Sequence, residues 1–346
     1  MNNFRFINGY AGILMIAGLI PASNAWAENS VAIGGVIEAE YGAVKFDDGT
    51  RESGYALATV ELGIDAKLNE FVDGHILVLH EDGATEPWEV DEATITVHAK
   101  NNLYFVSAGR MFVPFGHYDS NMISDPLTLE LGEIREAALQ AGMEEAGITL
   151  SGFTFNGDTI EASDALAGND EADQYGYAIS YTLEEGPVSF AVGAGYINNI
   201  ADTDGISGNL AAPELVQYVA GNSAFLQVAY KPVSIIVEQV SAADEFDVTE
   251  LAWQARGAQP VATNSEIAVS FPVGGMEMTV AAGKQTTEEA VALGLPETRS
   301  LAAVRIAIYD KTTLAFESMT EDDYSLADGG TGETTKTTTV QLAMEF

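Results

Sequence analysis

The sequence predicts an all-β fold, a transmembrane antiparallel up-and-down β-barrel of about 16 strands. Three observations predict it. The first 27 residues have the pattern of a secretory signal peptide, and many later segments of about ten residues alternate between apolar and polar side chains. After residue 27 the chain has no run of about 18 apolar residues, the length that a transmembrane helix requires. The 346 residues contain no cysteine, which excludes small folds that depend on disulfides.

Residues 1–27 are predicted to be a cleaved signal peptide. Arg5 lies in a short polar start, an apolar run covers residues 11–22, and Ala25-Trp26-Ala27 forms a small-residue cleavage site before Glu28. The apolar run is too short to span a bilayer. The mature chain, residues 28–346, is therefore expected to form one outer-membrane barrel.

The charge of the chain excludes one class of partner. The sequence has 14 basic and 52 acidic residues, a net charge of −38, and loss of Arg5 with the signal peptide gives 13 − 52 = −39. Phosphate backbones require a basic surface, so a nucleic-acid partner is excluded. Two interpretations of the acidity stay open: a solvated surface and a role in selecting cations.

The alternating segments assign residues to two faces of a strand. In residues 54–66, one face carries small and apolar side chains and the other carries polar and aromatic ones: Ala56, Ala58, Val60, Leu62 and Ile64 against Tyr55, Thr59, Glu61 and Asp65. The last segment places its apolar residues on one face: Val340, Leu342, Met344 and Phe346. A barrel in lipid requires this arrangement because its outer face meets hydrocarbon.

The predicted strands number 16, an even number, as in single-chain bacterial barrels. They are residues 31–46, 53–66, 73–82, 89–99, 103–111, 146–156, 159–164, 174–184, 187–199, 222–231, 233–241, 260–272, 275–284, 297–309, 312–320 and 336–346. Tight turns at 101–102, 156–158, 185–186, 231–232, 273–274 and 310–311 are assigned to the periplasmic side, and the long connections to the outside. Residues 249–257 also resemble a strand but would reverse this assignment.

The alternation stops within residues 109–142. Pro114 and Gly116 interrupt a strand, and Asp125-Pro126 begins a turn. Residues 129–141 resemble a short helix that ends before Gly142. Residues 112–145 therefore form a long third external loop, and long loops inside a compact β pattern are usually functional.

This third loop is expected to fold into the lumen and narrow it. Its apolar side chains form a set too large to leave in water: Met122, Ile123, Leu127, Leu129, Leu131, Ile134 and Leu139. The predicted constriction consists of Arg110, Glu130, Glu133, Arg135 and Glu136. The alternative for Glu133 and Glu136 is that they solvate a surface helix.

Phe346 is predicted to act as an assembly signal. A terminal phenylalanine that follows apolar residues at every second position is similar to the segment that the barrel assembly machinery recognises. The expected partners are therefore this machinery and the lipid of the outer membrane. The sequence leaves the oligomeric state open.

The chain resembles the LbtU-type siderophore porins. The resemblance is most specific in residues 109–142 (GRMFVPFGHYDSNMISDPLTLELGEIREAALQAG) and extends to GAQP at 257–260 and EEAVALGLPETR at 288–299. It implies an outer-membrane barrel that takes up a ferric siderophore, or another small solute, without a plug domain. The strong acidity of this chain departs from the pattern of these porins. It bears on the identity of the substrate more than on membership of the family.

Catalysis is not expected, and neither a catalytic residue, a cofactor nor a metal site is predicted. The four histidines are His75, His80, His98 and His117, and no hydrolase motif accompanies them. Acidic loops at 158–173, 244–250 and 317–328 offer oxygen ligands for calcium without the spacing of an EF-hand, and solvated loops are the alternative. A second functional hypothesis is a structural barrel with a closed lumen whose loops bind divalent ions and surface glycans.

Overall fold

Sixteen antiparallel strands form one closed barrel in the computed structural model, which describes residues 29–82, 85–168 and 172–346. The predicted signal peptide lies outside the described residues. Each strand pairs with the next one along the chain, and the last pairs with the first, where Met344 is opposite Ile37. The predicted fold class is therefore confirmed.

The barrel strands are numbered β1 to β16 in chain order. They are Ser30–Lys45, Arg51–Asn69, Val72–Glu81, Thr85–His98, Tyr104–Phe112, Arg135–Glu145, Ile148–Phe155, Gln174–Glu185, Val188–Ile197, Gly221–Tyr230, Val233–Ala242, Val261–Val273, Met276–Glu288, Thr298–Tyr309, Thr312–Asp322 and Thr334–Glu345.

Short turns lie at one end of the barrel and long loops at the other. Even-numbered strands are followed by the short connections, and the longest connections follow odd-numbered strands: residues 113–134, 156–173, 198–220, 243–260, 289–297 and 323–333. In outer-membrane barrels the short turns face the periplasm and the long loops face outward. The third loop, residues 113–134, therefore belongs to the external end.

The two faces of the barrel wall have different side chains. The outer face exposes large apolar residues such as Ile33, Ile95 and Leu342, whereas the inner face carries polar residues such as Glu61 and Gln341, which are buried. Closure satisfies the backbone of every strand, and the apolar outer face suits hydrocarbon. Among the described residues no helix has the length and apolar character to cross a membrane.

The predicted number of strands is right, but one predicted strand is wrong and one strand of the barrel was not predicted. Residues 159–164 contribute no barrel strand, whereas 135–145, which had been assigned to the loop, form β6. The turn predicted at 156–158 lies instead in a long loop. The true turn is Ala146-Gly147, whose φ angles of 52° and 82° suit a two-residue hairpin.

The third loop contains a short helix, as predicted, but the predicted bounds of 129–141 are wrong. The helix, α1, covers only Leu127–Gly132, and the residues after Ile134 enter β6. The segment 135–141 (REAALQA) has three alanines and otherwise arginine, glutamate, leucine and glutamine, all of which favour helix. Pairing with β5 and β7 overrides this preference, and burial alternates as in a strand, with Ala138 buried and Leu139 exposed.

Small elements lie in the other external loops. The helices are α2 (Ala162–Ala167) and α3 (Asp204–Ser207), and Ile200–Asp202 and Val291–Leu293 form 3-10 turns. Two pairs of two-residue strands lie outside the barrel, and one of them, 252–253 with 256–257, accounts for the strand-like pattern at 249–257.

The external loops pack together on the third loop through one apolar cluster, here called the loop core. It joins the third loop to the loops that follow β9, β11 and β13: Phe115, Leu127, Leu131, Ile134, Ile197, Ile200, Ile206, Leu215, Val219, Phe246, Leu251, Leu293 and Leu295 are among its buried members. Burial of this many apolar side chains gives the loops a fixed structure.

Phe346 follows β16 and pairs with β1, where the barrel closes. Its backbone N–H donates to the carbonyl of Gly35 at 3.1 Å, and its carbonyl accepts from the N–H of Gly35 at 3.3 Å. Its ring lies so close to Gly35 that a Cβ there would come within 2.7 Å. The role of Phe346 in assembly stays a prediction.

The assignment of faces predicts that two neighbouring substitutions in β4 destabilise the barrel to different extents. Ile95→Arg should lower the free energy of unfolding of the protein in lipid vesicles by about 2–4 kcal/mol, because an arginine on the outer face meets hydrocarbon. Thr94→Arg, the matched control, points into the lumen beside His75 and should cost much less. Equal denaturant midpoints for the two variants would contradict the assignment.

Candidate functional site

The third loop crosses the inside of the barrel. It connects β5 and β6, yet its hydrogen-bond partners lie on β11, β12, β13, β14 and β15. In a ring of 16 strands, β13 and β14 are directly opposite β5 and β6. The loop therefore reaches from one wall of the lumen to the other, as the sequence predicted.

Two wall carboxylates bind successive segments of the loop backbone. Glu238 of β11 accepts from the N–H of His117 at 2.7 Å and from the N–H of Tyr118 at 3.0 Å. Glu266 of β12 accepts from the N–H of Asn121 at 2.7 Å and from the Ser120 hydroxyl at 2.7 Å. Such bonds to an ionised acceptor are stronger than those between neutral groups.

A third carboxylate continues the pattern three residues further along the loop. Glu317 of β15 accepts from the N–H of Ile123 at 2.6 Å and from the hydroxyl of Ser124. Three inward-facing glutamates on three strands thus hold residues 117–124, mainly through main-chain donors. We call Glu238, Glu266 and Glu317 the anchoring glutamates.

Two arginines of β14 complete the attachment of the loop. Arg299 donates to the carbonyl of Asp125 at 2.9 Å and to Glu130 at 2.8 Å, and it also binds Glu321 of β15 at 2.8 Å. Arg305 donates to the carbonyl of Met122. The loop therefore has its N–H groups bound by acids and two of its carbonyls bound by arginines.

The other side of the loop packs into the loop core. Of the seven apolar residues predicted to lie inside, six are buried: Met122, Ile123, Leu127, Leu129, Leu131 and Ile134. Leu139 is exposed, because it belongs to β6 and faces outward. Helix α3 approaches α1 closely at Gly205, where a Cβ would lie 1.8 Å from the carbonyl oxygen of Glu130.

Three of the predicted constriction residues take part in buried ion pairs. Glu130 pairs with Arg299 at 2.8 Å, and Glu133 pairs with Arg135 at 3.1 Å. Arg135 also binds Asp91 of β4. Burial raises the pKa of Glu133 to about 8, and Arg135 acts against this rise. Burial likewise raises the pKa of Glu130, with Arg299 as the opposing charge.

The other two predicted residues lie apart from these pairs. Arg110 of β5 is exposed, and its neighbour Met111, on the opposite face, is buried in the loop core. Glu136 lies in β6 opposite Met111 and is partly exposed. Their role in a constriction stays a prediction.

Asp125 is a buried carboxyl group in the middle of the loop. Its exposed fraction is 1%, and neither carboxylate oxygen has a hydrogen-bond partner within the described part of the chain. Burial raises the pKa of Asp125 well above its usual value, and the charges of Glu130, Glu133 and Glu81 add to this rise, whereas Arg299 opposes it.

The inner wall of β1–β4 carries acidic residues that sequence reasoning did not assign to the site. Glu38 and Glu81 are both opposite Thr59 in the strand register, and Glu61 lies two residues further along β2. Glu61 and Glu81 are only 9% and 8% exposed, so other parts of the protein cover both side chains. We call Glu38, Glu61 and Glu81 the wall acids. Alternation places all three on the inner face, which is the signal that could have identified them.

The lumen is more open toward the short turns. There Asp65 of β2 binds His75 of β3 at 2.7 Å, and Asp73 of β3 binds His98 of β4 at 3.0 Å. The side chains of Asp65 and Asp73 are 59% and 41% exposed. His75 and His98 therefore lie on the lumen side of the wall with these two acids.

The acidic loops provide no evident metal centre. In residues 29–82, 85–168 and 172–346, no group of three or more histidine or acidic side chains is arranged to hold a metal ion. The carboxylate of Asp247 accepts from Thr249, and that of Asp323 accepts from Thr331. Part of the segment 317–328 belongs to β15.

Comparison with curated proteins finds relatives named UPF0422. One from Coxiella burnetii is 30% identical over 228 residues, which are 64% of this chain and 48% of the relative. One from Legionella pneumophila is 26% identical over 333 residues, with 84% of this chain and 61% of the relative covered. The chain spans about half to three fifths of the length of these relatives. No family model matches.

Comparison with solved structures finds outer-membrane porins. An anion-selective porin from Comamonas acidovorans is 15% identical, with a TM-score of 0.61 over 92% of this chain and 100% of that one. The outer-membrane channel DcaP of Acinetobacter baumannii is 14% identical, with a TM-score of 0.63 over 93% and 99%. These similarities show the fold: the chain forms a closed β-barrel like those of outer-membrane porins.

The anchoring role of these glutamates predicts which part of the third loop detaches from the wall when one of them is substituted. Glu317→Gln should accelerate amide hydrogen exchange of residues 123–124 about 5- to 150-fold, because the loss of charge-assisted bonds costs about 1–3 kcal/mol locally. Glu40→Gln is the matched control, since Glu40 faces the lumen but binds Gln341 of β16. Exchange that is unchanged in Glu317→Gln, or equally accelerated in the control, would contradict the anchoring role.

Proposed function

We propose that this protein is an outer-membrane channel for small solutes, in which the third loop sets the size limit. The observation that carries the proposal is the attachment of this loop to the opposite wall by the three anchoring glutamates. A barrel of 16 strands leaves an aqueous lumen unless something fills it. A loop fixed across that lumen narrows the passage without a separate plug domain.

The porin fold of the structural neighbours supports this proposal, and so does the distribution of buried residues. The loop core occupies the side of the barrel between β5 and β14, whereas its members do not include residues of β1–β4, β15 or β16. The passage is therefore expected to run off the barrel axis, between the third loop and the wall of β1–β4. No step of this function requires a catalytic residue, so we propose a channel and not an enzyme.

Replacement of the third loop tests the proposal. Phe112 and Arg135 are paired at the ends of β5 and β6, so a short Asn-Gly turn can replace residues 113–134 and leave the hairpin intact. Single-channel conductance in a planar bilayer should rise severalfold. The matched control replaces residues 323–333, between the paired Asp322 and Thr334, and should change conductance little.

One outcome would contradict the proposed channel, and another would contradict the size limit that we assign to the third loop. If the wild-type protein conducts no current, the alternative of a closed structural barrel is favoured. If both loop replacements raise conductance equally, the third loop does not set the limit. Heat-modifiable migration of each variant confirms that the barrel has folded before its conductance is compared.

We further propose a ferric siderophore as a candidate solute, on the basis of the resemblance described above. The measurement is uptake of radiolabelled iron into proteoliposomes, with ferrioxamine B as a cationic chelate and ferric citrate as an anionic one. Uptake of either chelate above that of protein-free vesicles supports the hypothesis. If the protein admits small ions but neither chelate, the substrate is wrong and the channel remains.

A further inference from the structure

We propose that Lys45, Arg51 and Lys336, here called the basic row, bind the phosphate groups of the glycolipid in the outer leaflet of the membrane. The basic row lies on the outer face of the barrel, at the end that carries the long loops. This inference goes beyond the proposed channel, because it concerns how the barrel contacts lipid and is independent of conductance.

The three basic residues are neighbours on adjacent strands. Lys45 of β1 is directly opposite Arg51 of β2 on one side and Lys336 of β16 on the other. Neighbouring strands are about 4.8 Å apart, so the row spans roughly 10 Å. Like charges directly opposite one another are destabilising. In a chain with 14 basic and 52 acidic residues, three basic residues in register indicate a compensating anion.

The basic row has no counter-charge in the part of the chain that the structure describes, since none of its members forms an ion pair there. Asp48, in the turn between β1 and β2, accepts instead from the N–H of Thr50 at 2.7 Å. Glu52 follows Arg51 along β2 and therefore lies on the opposite face of the strand. All three basic residues are exposed, so they can bind a group outside the protein.

A pair of tyrosines on the same face marks the boundary of the hydrocarbon. Tyr41 of β1 and Tyr55 of β2 are opposite each other, and their ring centroids are 5.1 Å apart. On β16, Tyr41 is opposite Val340, which shares the outer face with the exposed Leu342 and Met344. Aromatic residues on the outer face of a barrel lie where hydrocarbon meets the headgroups. The hydrocarbon is therefore expected to end near Tyr41.

The basic row lies beyond this boundary, near the height of the lipid headgroups. Lys45 follows Tyr41 by four residues, which is roughly 13 Å along the strand and, at a tilt of about 45°, roughly 9 Å along the membrane normal. The headgroup layer extends about 5–8 Å beyond the hydrocarbon, within reach of long basic side chains. Between the two levels Ser53 and Thr338 are opposite Ala43 and provide hydroxyl groups.

Phosphate is the anion that the basic row matches in charge and geometry. A guanidinium group binds phosphate through two parallel hydrogen bonds, and an ammonium group binds it as a point charge. Clusters of lysine and arginine at a membrane surface bind anionic lipid headgroups. A second copy of this chain is a poorer occupant, because a two-fold contact across this face would bring two basic rows together.

Removal of the three charges tests the site. The variant is Lys45→Gln/Arg51→Gln/Lys336→Gln. The folded full-length protein in detergent is titrated with bisphosphorylated lipid A, and bound lipid is measured by native mass spectrometry. Dephosphorylated lipid A, with the same acyl chains, is the second probe, and inorganic phosphate is added as a competitor.

The matched control removes three charges at the other end of the barrel. Lys67, Lys100 and Lys231 are exposed and lie at or near the short turns, so the control variant is Lys67→Gln/Lys100→Gln/Lys231→Gln. Heat-modifiable migration confirms that each variant has folded before its affinity is compared.

We expect the triple variant of the basic row to bind lipid A about tenfold or more weakly than the wild-type protein, because three contacts between charges are lost. The control variant should bind lipid A as the wild-type protein does. Dephosphorylated lipid A should bind to the wild-type protein about as weakly as lipid A binds to the triple variant. Inorganic phosphate at millimolar concentration should not displace lipid A, since the free ion lacks the acyl chains that contact the apolar outer face.

Four results would overturn the inference. They are equal affinity of the wild-type protein and the triple variant for lipid A, equal affinity of the wild-type protein for both lipids, an equal loss in the control variant, and displacement of lipid A by inorganic phosphate. A triple variant that changes oligomeric state but not lipid affinity gives the first of these results and would assign the face to contacts between copies. None of these results concerns conductance, so the channel proposal stands or falls separately.

Discussion

Backbone hydrogen bonding is the constraint on which the rest of this structure depends. In lipid every strand must pair on both sides, and closure of β1 onto β16 meets this requirement for the wall. The third loop has irregular backbone inside the same barrel, and its N–H groups also need acceptors. The anchoring glutamates supply them, so the polar interior that the barrel requires is also what fixes the loop across the lumen.

Much of the fold could be predicted because strand alternation and turn chemistry are local signals. Segments such as Gly54–Ala66 show apolar and polar faces directly, and most of the short turns contain glycine, proline or asparagine. β6 was missed because residues 135–141 favour helix, and only their partners in β5 and β7 make them a strand. The count of 16 was right because one missed strand offset one extra strand.

The candidate site could be predicted only in part, because its partners are distant in sequence. The position of Glu130 and Glu133 in a lumen segment followed from the apolar residues around them. The pairing of Glu130 with Arg299 did not follow, since these two residues are 169 positions apart. Alternation identifies Glu238 as inward-facing, yet it cannot distinguish a residue that faces water from one that binds the backbone of a loop 121 positions away.

The use of main-chain donors by the anchoring glutamates has a consequence for sequence divergence. Any residue except proline offers an N–H group, so His117, Tyr118 and Ile123 can be exchanged without loss of the bonds that place them. At these three positions the path of the loop therefore depends little on which side chain is present. A scaffold of this kind can acquire new specificities by substitution at positions 117, 118 and 123 while the path of the chain through the barrel stays the same.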